Sequence, residues 1–142
     1  MNISKKHEII KRIYQDLNGP ERYVCCQILC FLLTKEAKKL KHITYNTIIT
    51  WAKLDNSSSM NTVHILKATD YLSSSRLHLL HMQFQFIENE NSEPIPVDND
   101  DVSLAIKSGV FYHPETGEIL ENFNNHLFPY FVPTEMLGSL HE

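Results

Sequence analysis

Beyond residue 80 the chain has one cation, Lys107, in its last 62 residues. That scarcity excludes the C-terminal stretch as a polyanion-binding surface in its own right. Long apolar runs are missing too. The most apolar segment, residues 24–33, is about half of the roughly 20 residues that span a bilayer, and it includes Gln27. Glycine is scarce, at four residues, and none builds a phosphate-cradling loop or a Gly-x-Ser-x-Gly elbow. The three cysteines, Cys25, Cys26 and Cys30, lack the paired spacing of a zinc site, which leaves them as buried structural thiols. The N-terminus, MNISKKHEIIKR, is charged throughout and has no apolar stretch before a small-residue cleavage site. It therefore predicts no signal peptide, a cytoplasmic setting, reduced thiols and no membrane partner. No catalytic constellation, cofactor motif or metal motif stands out, so the expectation is a non-enzyme without a cofactor.

What is present is the balance of a globular protein: 42% hydrophobic and 21% charged residues in 142, enough for one domain with a core. The net charge of −4 conceals an asymmetry. Residues 1–80 carry 12 of the 13 Lys/Arg and 6 of the 17 acids, a net of +6, while residues 81–142 carry a net of −10. Such a split assigns polyanion to the basic part and protein to the acidic part.

The apolar periodicity starts as helical. Ser4 precedes Ile9, Ile10, Ile13, Tyr14 and Leu17, predicting a capped amphipathic helix ending near Asn18-Gly19. Pro20 opens a second helix running to about Leu40, whose apolar residues wrap most of its circumference. Lys35, Lys38, Lys39 and Lys41 make a basic corner at its end. His42-Ile43 reads as a short strand. Thr44 caps a helix from Tyr45 to about Lys53, with Ile48, Ile49, Trp51 and Ala52 inward. Another helix covers residues 60–72. The period then falls to two: Leu80, Met82, Phe84 and Phe86 alternate with polar residues, and Leu77 and Leu79 in the opposite phase predict a bulge near Leu79-Leu80. Residues 88–101 read as an acidic loop. Asp98 caps a short helix to Ser108 that Gly109 closes. A hairpin, SGVFYHPETGEIL, follows, then an apolar segment from Phe123 to Val132 and a last turn capped at Thr134.

Residues 43–87, ITYNTIITWAKLDNSSSMNTVHILKATDYLSSSRLHLLHMQFQFI, resemble the winged helix-turn-helix superfamily. Ala52 sits where the first helix of that motif lets the second approach, and Asp55-Asn56-Ser57 replaces its usual glycine turn. Ser59-Met60-Asn61-Thr62-Val63 resembles the start of a recognition helix, and Val63, Leu66 and Leu72 match its inward face. The resemblance implies an α+β fold: a single winged-helix-like domain over 1–142, with two N-terminal helices (1–41), the helix-turn-helix and first long strand (43–87), and a small antiparallel sheet carrying an elaborated wing (88–133).

The resemblance also implies DNA contact through helix 58–72. Ser58, Ser59, Asn61, Thr62, His64 and Lys67 would face base edges, and Lys53, Lys41 and Arg76 would meet phosphates. The hairpin has the place of a wing but the wrong charge, since Glu115, Glu118 and Glu121 repel phosphate. It is better suited to a protein, through Tyr112, His113, Glu115, Glu118, Phe128 and Tyr130. Two functions follow as expectations: a DNA-binding regulator acting as a homodimer, or a non-catalytic adaptor of a larger assembly (bacterial or phage-related, of the defence type among others) with a protein partner on its acidic part.

Overall fold

A computed structural model describes residues 3–55 and 57–141, apart from the Ile3 side chain. Among these, the chain forms seven α-helices, a three-stranded antiparallel sheet and a separate two-stranded pair. They fall into two compact units, one of Met1–His81 with Phe131–Glu142 and the other of Met82–Tyr130.

The first unit is mostly helical. α1 (Ile3–Asp16) takes in Ser4, so the helix starts before the expected cap. Ile9 and Ile13 face the core, while Ile10 and Tyr14 stay exposed. α2 (Gly19–Leu32) ends eight residues earlier than periodicity suggested. Thr34 stops it, because its hydroxyl accepts the Ala37 N–H and caps a separate one-turn helix, α3 (Lys35–Lys38). Thr44 caps α4 (Tyr45–Trp51) in the same way, and Ser58 caps α5 (Ser59–Ser73). Ile43 forms a single antiparallel bridge with Phe131. Thr134 caps α7 (Glu135–Leu140).

The core of this unit is aliphatic, with Ile13, Ile28, Leu32, Ile43, Ile48, Leu72, Leu79 and Leu140 essentially sealed from solvent. Each such side chain contributes roughly 1.5–3 kcal/mol by leaving water. α2 packs against α5 more extensively than any other pair of elements. That contact rotates α5 away from the expected orientation. Ile65, Ala68, Thr69 and Leu72 are buried, whereas Val63 and Leu66 are 41% and 42% exposed. Thr69 tolerates full burial because its hydroxyl bonds to the Ile65 and Leu66 carbonyls one helical turn back. Trp51, expected inward, is 46% exposed and meets Phe31 edge-on.

β1 (Leu80–Phe86) starts three residues later than a strand running from Leu77 would, and the expected bulge does not reset its phase. The reset is a turn before the strand. His78 takes a left-handed backbone (φ 50°), and the Leu79 N–H returns to the Leu72 carbonyl. This lets Leu77, Leu79 and Leu80 all be buried.

The second unit contains most of β1, the strand β2 (Ile95–Val97), helix α6 (Asn99–Ser108), the pair β3 (Phe111–Tyr112) and β4 (Ile119–Leu120), and the start of β5 (Leu127–Pro133). Sheet order is β2-β1-β5. β2 lies in the segment that sequence assigned wholly to loop, and Pro94 and Pro96 hid it. Pro96 stands opposite Gln85 on an edge strand, where a residue without an N–H is tolerated. Gly109 closes α6 at φ 78°, as expected. The predicted hairpin pairs Phe111 with Leu120 and Tyr112 with Ile119, yet as a sheet of its own. The core here is small and aromatic, built on Phe86, Phe111 and Phe123 with Ala105.

Candidate functional site

The α4–α5 region is set by two features. The first is the exit from α4. The Leu54 N–H bonds to the Ile49 carbonyl at 2.9 Å, closing the helix with a left-handed residue just before it. That residue is Lys53, at φ 55°. The expected glycine substitute, Asn56, lies outside the described residues. Glycine is preferred at such a position, so holding lysine there costs about 1 kcal/mol. The second feature is the Ser58 cap, whose hydroxyl accepts the Asn61 N–H at 3.1 Å and orients the first turn of α5.

The nominated DNA-facing residues separate into three groups. Ser58, Ser59 and Thr62 are exposed on that first turn, although the Thr62 hydroxyl also donates to the Ser58 carbonyl. Asn61 and His64 lie on the half-buried side with Ile65. The Asn61 amide donates to an Asp55 carboxylate oxygen at 3.2 Å. His64 Nδ1 is buried and, among the described residues, has no hydrogen-bond partner. Both line a cavity of about 300 Å3 with Lys53 and Asp55.

The cations differ in how far they are committed. Lys41 and Lys53 are exposed and, like Lys35, Lys38 and Lys39, are in no ion pair among the described residues. Lys67 pairs with Glu21 at 3.3 Å, an exposed contact worth at most about 1 kcal/mol and readily exchanged for a phosphate. Arg76 is engaged within the fold. Its Nε bonds to Asp16 at 2.7 Å and an Nη to Gln15 at 3.2 Å, while Tyr71 donates to the same Asp16 oxygen. The Tyr71 hydroxyl and then the Arg76 guanidinium hold the Asp16 carboxyl below its ordinary 3.8. Burial, then the bond to Asp16, pushes Tyr71 up to about 12.

The residues nominated for protein contact separate as well. Tyr112, Glu115, Glu118 and Phe128 are exposed, whereas His113 and Tyr130 are buried. The His113 ring organises the hairpin loop from within. Its Nδ1 accepts the backbone N–H groups of Glu115 and Thr116, at 3.1 and 3.2 Å, which fixes the tautomer. Nε2–H therefore donates to Glu88 at 2.9 Å. Sequence reasoning missed this role; the signal was a histidine directly before a turn, where its ring can act like an Asx side chain. Tyr130 is held by its hydroxyl to Gln83 at 2.7 Å.

His126 faces the Ile87 carbonyl through Nδ1 at 3.0 Å. Among the described residues no three His, Cys, Asp or Glu side chains group to hold a metal ion, and no helix is long and apolar enough to cross a membrane. Burial, with a smaller effect from Cys26, pushes the Cys25 thiol up to about 12, far from thiolate reactivity.

Two surfaces were not foreseen. Met60, Val63 and Leu66 form an exposed apolar row on α5. A cavity of about 430 Å3 opens between α6 and β3 in the second unit. Compared with protein-family models, curated proteins and solved structures, the chain matches none.

Proposed function

We propose that the chain is a winged-helix DNA-binding regulator that reads the major groove with the N-terminal turn of α5. The observation carrying this is the order and pairing of elements from Ile43 through β5. Ile43 bridges to Phe131, α4 and α5 follow, and then β1 and the returning β5 share a sheet. Bridge, helix, helix, strand and strand is the winged-helix order, with α5 in the recognition position and residues 87–126 inserted in its wing. Exposed Ser58, Ser59 and Thr62 at the tip of α5 suit base edges, and exposed Lys53 and Lys41 suit phosphates.

The experiment is titration of labelled duplex DNA at increasing salt. Affinity falls steeply with salt, and Lys53→Glu weakens binding to every sequence and lowers the log–log slope by about 1. Ser59→Ala and Thr62→Ala instead relax preference among sequences. Arg76 is left unchanged, because its loss would disturb the Asp16 cluster before it touched DNA. Background-level binding at low salt would sink the reading.

A second reading, a non-catalytic winged-helix adaptor, is favoured by the charge of the second unit. Its 49 residues hold one lysine and nine acids, a net of −8. Co-purification from the native host tests it, and recovery of the protein always alone counts against it.

A further inference from the structure

We infer that the cavity between α6 and β3 is a docking groove for a lysine- or arginine-bearing amphipathic segment of a partner protein. This names the site and partner chemistry of the adaptor reading and rests on it. The groove holds about 430 Å3, room for one or two large apolar side chains. Its walls are apolar: Val97, Ala105, Val110 and Phe111 form the inner part, and Leu104 and Tyr112 stand at the mouth, 63% and 62% exposed. Aromatic and aliphatic groups displayed around a concavity are the usual anchors of protein recognition.

The rim fixes the sign of the partner. Asp98 and Asp101 line the groove, and neither is in an ion pair among the described residues. Asp98 occupies the N-cap position of α6, yet its side chain makes no cap bond. Thr34, Thr44, Ser58 and Thr134 make theirs, while Asn18 at the start of α2 does not. A helix start explains acids near it, but an N-cap aspartate that leaves the cap bond unmade retains all its acceptor capacity. With a unit charge of −8 behind it, the rim attracts cations and repels acidic segments. The groove thus selects apolar anchors flanked by positive charge.

The test uses the intact chain, isotope-labelled for amide NMR, and a two-heptad helical peptide of repeated Lys-Leu-Leu-Lys-Lys-Leu-Leu. The same peptide with Glu for Lys is the control. The basic peptide is expected to shift amides of residues 97–101 and 110–112, and the acidic one to leave them in place. The double change Asp98→Asn with Asp101→Asn weakens binding about 10-fold. Leu104→Ser, at an exposed position that leaves the core intact, weakens it independently.

Equal binding of both peptides, or shifts confined to the Met60-Val63-Leu66 row, overturns the proposal. So does self-association of the chain that these variants abolish, which gives the groove to a second copy. Capture of a native partner unaffected by both variants would leave the adaptor reading standing and sink the groove alone.

Discussion

Asp16, Tyr71 and Arg76 join α1 to the end of α5 through one carboxylate oxygen, and the sign of each perturbation defines a pH window. Asp16 has its folded value lowered, so its contribution is present above 3.8 and is lost as pH falls through that lower value. Tyr71 is raised from 10.0 to about 12, so its contribution is present below 10.0 and fades as pH climbs toward the folded value. Thermal melts should show Asp16→Asn less stable than wild type at neutral pH, with the gap narrowing below pH 3.8. Tyr71→Phe should show a gap that narrows above pH 10.0. Gaps that stay constant across both ends would mean the cluster contributes no pH-dependent stability. Individual residue roles of this kind were poorly legible in sequence. The bonds of Arg76 to Asp16 and of His113 to Glu88 could not be read from it, because those partners lie 60 and 25 positions away. Cap residues were easier where they act on neighbours three residues on, as Thr44 and Thr134 do.

The α4–α5 turn sets the identity of Lys53 against its backbone. Lys53→Gly relieves the left-handed strain, and the expected gain is about 1 kcal/mol, read as a higher denaturant midpoint at unchanged slope. The same variant should bind DNA less tightly, which would show the lysine being kept at a structural cost. A midpoint that falls would remove that account. The cap at the other side of the turn predicts the opposite sign, since Ser58→Ala forfeits the bond to Asn61 and costs about 1 kcal/mol.

Elements with clear periodicity or punctuation were legible: α4, α5, β1, α6 and the hairpin all lie close to their expected bounds. Faces were less so. α5 carries apolar residues on two sides, and only packing on α2 decides that Ile65 and Ala68 turn inward rather than Val63 and Leu66. The split of α2 from α3 was hidden because lysines and Ala37 continue a helical pattern through Thr34.

For the whole molecule, the charge asymmetry follows the division of the fold. The first unit carries 12 Lys/Arg and 8 acids, a net of +4, against −8 in the second. A chain of net −4 with evenly mixed charge binds an anion exchanger and ignores a polysulfated matrix. This one should be retained at low salt and pH 7 by both an anion exchanger and immobilised heparin. Flow-through on heparin would show that the basic side chains are neutralised within the fold. The asymmetry was visible in the sequence because charge counting needs no coordinates; the 430 Å3 groove was not, because its walls come from β2, α6 and β3, and β2 itself went unseen.

Pro96, which concealed β2 from periodicity, has a consequence beyond concealment. It stands in the outermost strand of the β2-β1-β5 order, and β5 at the other side contains Pro129 and Pro133. A strand arriving from another molecule would meet missing donors along either border, so the sheet resists growth by addition. A partner docking by strand addition at this sheet should therefore pair less readily than one that recognises side chains.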